Sequence, residues 1–305
     1  MKPAGAPASG FRGPPARFER QIRERGPVLD MSLVQSLYAP LLEAQCREGV
    51  TCERDLPYGE DARHRLDVYR PVQGPASLPV LIFLHGGGFI RGDKAARENV
   101  GLYFARQGFV VVLPNYRLAP AHRWPAGAQD VAAAWQWVQQ RIADHGGDPA
   151  RIFLGGESAG AAHVAAATLV RRFQPPGGLR PAGVLLVSGV YNAHLEYLAR
   201  RQFGIATPDP RNDAYFGADP QSFAAMCTVD LIDVAPLPLL ITFAELDLLQ
   251  MQVQAGELFA RLVTQHGFSP DLQVIPGHNH LTQVYAVNTG DESLSGPVLS
   301  FLLNA

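Results

Sequence analysis

The sequence predicts an α/β fold in which helices flank a mostly parallel central sheet. From about residue 50 onward, short apolar runs alternate with longer segments of helical periodicity. Most of these runs are apolar throughout instead of alternating with polar residues, which is expected for strands covered on both faces. Strand candidates that alternate with helical segments are typical of a parallel sheet between two layers of helices.

The strand and helix candidates follow one another along the chain. The clearest strand candidates are residues 80–84, 109–113, 151–154, 184–187, 239–243 and 272–275. Between the second and third of these, Val131, Trp135 and Val138 fall on one helical face, and Gly146-Gly147 ends that helix. Ala255, Leu258 and Leu262 repeat the helical spacing later in the chain.

Three segments lie outside this alternation. Residues 1–27 are rich in proline, glycine and arginine, so a flexible arm is expected there. Residues 28–48 have apolar residues at helical spacing and predict a helix packed over another element. Residues from about 190 to 235 are polar and rich in proline and arginine, without a clear strand. An insertion of this length is often a lid, although a surface elaboration without a role in binding is the alternative.

Composition excludes several classes of protein. The 305 residues are 47% hydrophobic with a net charge of −2, so no charge excess points to nucleic acid or an anionic membrane. Cys46, Cys52 and Cys227 form no Cys-x-x-Cys pair, so neither a metal site nor a redox motif is predicted. No apolar run reaches the ~18 residues needed to span a bilayer, and the first 25 residues lack the apolar core of a signal peptide. The expectation is a cytoplasmic protein.

The strongest local motif is Gly-Glu-Ser-Ala-Gly at residues 156–160, which matches G-x-S-x-G. It follows the strand candidate 151–154 and precedes an alanine-rich helical segment, which is the context that this motif requires. A serine on such a strand-to-helix turn is presented at the carboxyl end of the sheet, near a helix N-terminus that favours negative charge. Ser158 is therefore the candidate nucleophile, and a glycine-rich turn with an ordinary serine is the alternative.

A second motif, His-Gly-Gly-Gly-Phe at residues 85–89, directly follows the first of these strands. Consecutive glycines allow the backbone to approach a ligand and leave N–H groups free. An acyl-transfer enzyme needs such donors for the oxyanion of its tetrahedral intermediate, and the residue after the nucleophile, Ala159, would supply another. The alternative is a flexible or phosphate-binding turn, but the Lys-Ser/Thr of a phosphate loop is absent.

A serine hydroxyl requires a base, and the base requires an orienting carboxylate. With the nucleophile on such a turn, the chain order is serine, then acid, then histidine. Asp247 follows the strand candidate 239–243, and Glu245 competes with it for the acidic role. His278 and His280 both follow the last strand candidate, so strand placement alone leaves both open.

Taken together, these motifs closely resemble the hormone-sensitive-lipase-like group of carboxylesterases. The similarity extends from about residue 60 to the end of the chain. It covers, in order, HGGGF at 85–89, NYRLAP at 115–120, WPA at 124–126 followed by Asp130, GESAG at 156–160, ELD at 245–247 and GHNH at 277–280. Two positions depart from the pattern, since relatives usually have Glu where Ala121 stands and often Gly or Phe where Leu281 stands.

The resemblance implies an α/β-hydrolase fold in a single domain, residues 1–305, with a cap formed by residues 28–48 and about 190–235. It implies a catalytic triad of Ser158, Asp247 and His280. The histidine assignment follows the family spacing of three residues after Gly277, which leaves His278 as a supporting or surface residue. The oxyanion donors would be the backbone N–H groups of Gly87, Gly88 and Ala159.

The implied activity is hydrolysis of short- to medium-chain carboxylic esters through an acyl-enzyme, without a metal or other cofactor. The implied partner is a small-molecule ester, with no nucleic acid, no membrane and a possible homodimer. An arylformamidase-like amide hydrolase shares the fold and a His-Gly-Gly loop. A non-catalytic ligand-binding homologue is a third possibility, but such proteins typically lose a triad member.

Overall fold

The computed structural model describes residues 10–203 and 210–305. In this part of the chain, eight strands form one sheet in the order β1-β2-β4-β3-β5-β6-β7-β8. In chain order they are β1 Val50–Pro57, β2 Arg65–Pro71, β3 Leu78–Leu84, β4 Val110–Pro114, β5 Gly147–Glu157, β6 Gly183–Val187, β7 Leu239–Leu246 and β8 Asp271–Asn279. Strands β3 to β8 are parallel, whereas β2 pairs antiparallel with both β1 and β4.

The six predicted strands correspond to β3–β8, so the α/β prediction is confirmed. Strands β4 and β6 are buried at every position, which explains why they are apolar throughout. The sequence analysis did not identify β1 and β2. Strand β1 lies at the edge of the sheet and all of its residues are partly or fully exposed, so its sequence lacks a continuous apolar run.

Helices cover both faces of this sheet. In chain order they are α1 Ala16–Arg25, α2 Met31–Glu43, α3 Glu98–Arg106, α4 Ala126–Arg141, α5 Ala159–Leu169, α6 Ala193–Phe203, α7 Asn212–Phe216, α8 Thr228–Leu231, α9 Leu249–His266, α10 Thr282–Tyr285 and α11 Ser295–Asn304. Helices α4, α5 and α9 pack on one face, and α3, α10 and α11 pack on the other. All eleven residues of α5 are buried, and its alanines allow the close approach of the sheet.

The expectation of a flexible arm over residues 1–27 is wrong for residues 16–25, which form α1. Phe18 and Ile22, four residues apart, form a narrow apolar stripe that is buried against α2. Arg23 also pairs with Glu245, with 2.8 Å between Nη2 and Oε2. The helix escaped the sequence analysis because two buried side chains in ten residues give too weak a periodic signal. Residues 1–9 lie outside the described residues.

The helix predicted within residues 28–48 is α2, which begins where the Asp30 side chain accepts hydrogen bonds from the N–H groups of Ser32 and Leu33. The described residues of the insertion near 190–235 contain α6, α7, α8 and a 3₁₀ helix at Pro220–Met226, but no strand. Residues 204–209 of the insertion lie outside the described part. Across the described residues, every helix is too short or too polar to cross a bilayer.

Candidate active site

Ser158 occupies a sharp turn between β5 and α5. Its backbone has φ 50° and ψ −119°, a conformation that non-glycine residues rarely adopt, and its N–H donates to the Val187 carbonyl at 2.8 Å. A Cβ at Gly156 would lie 2.6 Å from the backbone of Gly160, and a Cβ at Gly160 would lie 2.4 Å from the Leu84 carbonyl oxygen. Both glycines of the motif are therefore required by the close approach of the backbone.

The structure brings Ser158, His280 and Asp247 into one hydrogen-bonded chain. Nε2 of His280 lies 3.0 Å from Oγ of Ser158, and Nδ1 lies 2.7 Å from Oδ1 of Asp247. The three residues follow β5, β8 and β7 respectively, so the carboxyl ends of parallel strands bring them together. Because Asp247 can only accept at Nδ1–H, Nε2 is the ring nitrogen left to accept the serine proton.

In this hydrogen-bonded triad, the pKa of His280 is raised above its ordinary value. Burial by itself lowers the pKa of His280, but the charge and hydrogen bond of Asp247 more than offset this effect. Glu157 also raises this pKa and Arg211 lowers it, so the net result is a pKa above the ordinary value. The site therefore stabilises the protonated form of His280 relative to a free imidazole, and this is the form that arises when the serine gives up its proton.

Asp247 is completely buried, and four donors surround its carboxylate. Oδ1 accepts from His280 and from the Leu248 N–H at 2.9 Å. Oδ2 accepts from the Ser188 hydroxyl at 2.5 Å and from the Ala244 N–H at 3.2 Å. These bonds replace the water that a buried carboxylate would lose.

The glycine-rich loop approaches Ser158 from the end of β3. Gly87 has φ 143° and Gly88 has φ 60°, and a Cβ at Gly87 would lie 1.9 Å from the Arg91 carbonyl oxygen. Within residues 10–203 and 210–305, the N–H groups of Gly87 and Gly88 have no hydrogen-bond acceptor, and both glycines line the same cavity as Ser158. Ala159 begins α5, so its N–H is one of the first-turn amides that a helix leaves without an internal acceptor.

The remaining family-like motifs support this loop. The His85 ring stacks on Tyr116 with 4.4 Å between ring centroids, and the Tyr116 hydroxyl donates to the His85 carbonyl at 2.8 Å. Arg117 donates through its backbone N–H to Asp130 at 2.7 Å and through Nε at 2.8 Å. These contacts give the Tyr116-Arg117 pair a structural role beside the glycine-rich loop.

A cavity of about 330 Å³ opens onto Ser158 and His280. Its walls come from the glycine-rich loop, the start of α2, the described parts of the insertion and the start of α9. The larger aliphatic, methionine and phenylalanine side chains that line the cavity are Leu29, Met31, Phe89, Val190, Leu248, Met251 and Leu281. Phe89 also stacks on Tyr215 of α7 with 4.4 Å between parallel rings, so the insertion is packed directly against the glycine-rich loop.

Glu245 and His278, the alternative candidates for the acid and the base, have other hydrogen-bond partners. Glu245 accepts from Arg23 and from the Gly277 N–H at 2.8 Å, and it does not contact His280. His278 is fully buried, with Nε2 3.1 Å from Oδ2 of Asp291 and Nδ1 3.2 Å from the Thr282 hydroxyl. The structure thus separates the two histidines: only His280 reaches both Ser158 and Asp247.

Two residues that contribute to the site, Ser188 and Gln283, could not be identified from the sequence. Ser188 follows β6 without a motif around it, and Gln283 is one of several glutamines in its region. Both contribute to the surroundings of Asp247 through bonds that only the folded structure creates.

A family model described as the α/β-hydrolase fold matches residues 81–284 of the chain. A probable isoprenylcysteine alpha-carbonyl methylesterase of Arabidopsis thaliana is 37% identical over 119 residues, which cover 39% of this chain and 25% of that protein. A carboxylesterase of Mycobacterium tuberculosis is 43% identical over 94 residues, which cover 30% of each protein. The chain thus spans only a quarter to a third of the length of these relatives.

Solved structures match over nearly the whole chain. A bacterial heroin esterase is 24% identical with a TM-score of 0.76, covering 94% of this chain and 96% of that one. An esterase from the bacterial hormone-sensitive lipase family is 26% identical with a TM-score of 0.67 and the same coverage. The first similarity shows the fold alone, and the second agrees with the resemblance read from the motifs.

Proposed function

The chain belongs to the α/β-hydrolase fold family, and we propose that it is a serine carboxylesterase that hydrolyses short- to medium-chain carboxylic esters. The observation that carries this proposal is the hydrogen-bonded chain from Ser158 through His280 to Asp247. The names of the relatives support the same reaction, since those compared above are all called esterases. Nothing in these names favours an arylformamidase-like amide hydrolase.

In the proposed mechanism, Oγ of Ser158 attacks the ester carbonyl while Nε2 of His280 accepts the hydroxyl proton. Asp247 holds the ring through Nδ1 and stabilises the imidazolium. The N–H groups of Gly87, Gly88 and Ala159 donate to the oxyanion of the tetrahedral intermediate. His280 then returns the proton to the departing alcohol, which leaves an acyl group on Ser158. A water molecule, activated by the same histidine, releases the acid.

The size and lining of the cavity support a small ester substrate. A volume of about 330 Å³ lies near the lower end of the ~300–1,000 Å³ found for small-molecule sites. Apolar side chains such as Leu248, Met251 and Val190 line part of it and would receive an acyl chain.

A cap over the site forms part of the same proposal. Leu29 and Met31 precede or begin α2, while Glu196, Arg211 and Asn212 come from the insertion, and all five line the cavity. The cap would therefore consist of residues 28–48 together with the insertion near 190–235, within a single domain of residues 1–305. A cytoplasmic location and a homodimer stay predictions.

The test is a series of p-nitrophenyl esters from acetate to laurate, with N-formylkynurenine as the amide alternative. We expect kcat/KM to be highest for an acyl chain of two to eight carbons and N-formylkynurenine to be hydrolysed far more slowly. A preference for N-formylkynurenine would overturn the esterase proposal in favour of amide hydrolysis. Failure to hydrolyse any of these compounds would favour a non-catalytic homologue.

A further inference from the structure

Two buried polar residues, Ser188 and Gln283, lie beside the proposed triad and line the same cavity. Ser188 directly follows β6 and is 1% exposed, while Gln283 belongs to α10 and is 0% exposed. The mechanism above uses neither side chain. Burying a hydroxyl and an amide is unfavourable unless both are hydrogen-bonded, so the bonds that they form indicate their role.

The direction of these bonds follows from the groups involved. Nε2 of Gln283 lies 3.3 Å from the carbonyl oxygen of His280 and 2.7 Å from Oγ of Ser188. A carbonyl oxygen only accepts, so the amide group that faces it is the NH₂. Ser188 therefore accepts from Gln283 and gives its own proton to Oδ2 of Asp247 at 2.5 Å.

The backbone fixes Ser188 in this orientation. Its φ is 48°, in the left-handed region, and its N–H donates to the Thr242 carbonyl at 2.8 Å on the neighbouring strand. The hydroxyl thus points at Asp247 because the turn after β6 is held to β7. The opposite oxygen of Asp247 is the one that contacts His280.

We propose that Ser188 and Gln283 are positioning residues that act as a unit. Together they hold the carboxylate of Asp247 and the backbone of His280 in the positions that the hydrogen bond between Asp247 and His280 requires. The inference rests on the proposed esterase function. Gln283 orients the Ser188 hydroxyl, the hydroxyl fixes one carboxylate oxygen, and the other oxygen then faces Nδ1 of His280. Gln283 also donates to the backbone carbonyl of His280, so its amide connects the hydroxyl that holds the acid to the backbone of the base.

This arrangement has a consequence for pH dependence. A hydroxyl that donates to Asp247 disperses its negative charge, so removal of the hydroxyl strengthens the attraction between Asp247 and protonated His280. The acid limb of kcat/KM then moves to higher pH. The charged groups that affect His280 are Asp247 after β7, Glu157 at the end of β5 and Arg211 before α7. The substitutions below leave all three unchanged.

The experiment measures kcat, KM and the pH profile of kcat/KM for a short-chain ester with S188A, Q283M and the double variant. We expect S188A to lower the plateau of kcat by about tenfold or more, since bonds to charged groups are the strong ones. KM should stay within about twofold and the acid limb should move upward. Q283M should cause the same changes to a smaller extent, and the loss of kcat in the double variant should fall short of the product of the two single losses, because Gln283 acts largely through the Ser188 hydroxyl.

The matched control is Q254M. Gln254 is also a fully buried glutamine, and it accepts from the N–H groups of Tyr191 and Asn192 at 2.8 Å without contacting the proposed triad. We expect Q254M to lower Tm and to leave the acid limb in place. S188C, which retains the shape of the side chain and a weak donor, provides the same test should S188A fail to fold.

The outcomes separate this inference from the proposed function. The inference is overturned if S188A and Q283M leave the acid limb of kcat/KM in place and keep the plateau of kcat within twofold of the parent. A Q283M effect that multiplies the S188A effect in the double variant would also overturn it, since the residues would then act independently. If the parent enzyme hydrolyses no ester at all, it is the proposed function that fails.

Discussion

The guanidinium of Arg97 forms a buried ion pair with the carboxylate of Glu157, the residue immediately before Ser158. The same carboxylate oxygen accepts the N–H of Gly86 at 2.9 Å. Arg97 also lies over the ring of Tyr285, with its guanidinium carbon 4.5 Å from the ring centroid. Glu157 thus connects the serine turn to the glycine-rich loop, and Arg97 connects both to α10.

Breaking this pair should be costly for stability. In R97M the carboxylate of Glu157 would be buried without its cation, which typically costs about 3–5 kcal/mol of the free energy of unfolding. We expect a clear fall in Tm, measured by calorimetry or circular dichroism. The double variant R97M/E157Q removes both charges and should recover part of the loss. A double variant less stable than R97M would contradict this account of the pair.

S158A should abolish ester hydrolysis without unfolding the protein. Loss of the nucleophile of a well-studied serine protease costs about 10⁶ in kcat. Alanine fits the turn as well as serine does, because the side chain provides no cap to α5. Rates on p-nitrophenyl butyrate, with Tm as the control for folding, test this. More than a small percentage of residual activity would rule out Ser158 as the nucleophile.

Replacement of His280 by alanine should lower kcat far more than replacement of His278 by alanine. H280A removes the base and should lower kcat by several orders of magnitude, and because it also leaves the buried Asp247 without its imidazole partner, it should lower Tm as well. H278A leaves Asp291 buried without its partner, so it should lower Tm and have a far smaller effect on kcat. Measurement of kcat and Tm for both variants checks the assignment, and a larger loss of kcat in H278A would reverse it.

The pH profile should reflect the raised pKa of His280. The mechanism needs neutral His280, so kcat/KM should fall as the pH drops through a pKa above the ordinary 6.5. In D247N the attraction that raises this pKa is absent, so the midpoint should move to lower pH. The same variant should lower kcat by about 10⁴, as in a well-studied serine protease. An acid limb that stays in place in D247N would contradict the coupling of these two residues.

The sequence predicted the site better than its surroundings. Ser158, Asp247 and His280 each follow an apolar strand, so local patterns placed all three at one edge of the sheet. Choosing between His278 and His280 needed the family spacing, since both follow β8, and the structure separates them by their partners. Ser188 and the Arg97–Glu157 pair depend on contacts between residues 59 and 60 positions apart. No periodicity or local motif records such contacts.

The last prediction concerns the side chains at the mouth of the cavity. Leu29 and Met31 are each 38% exposed and line the cavity, so truncation should cost little stability while it widens the entrance. We expect L29A/M31A to raise kcat/KM for decanoate and laurate esters relative to butyrate, with Tm close to that of the parent.

The control for this experiment is I22A. Ile22 is fully buried between α1 and α2 but does not line the cavity. Its truncation should cost about 2–5 kcal/mol of the free energy of unfolding and leave the acyl-chain preference unchanged. Because α1 and α2 pack together, a general loosening of the N-terminal segment would alter the preference in both variants. A change in preference confined to L29A/M31A identifies the start of α2 as part of the substrate-binding surface, whereas unchanged preference in a well-folded L29A/M31A removes residues 28–48 from the proposed cap.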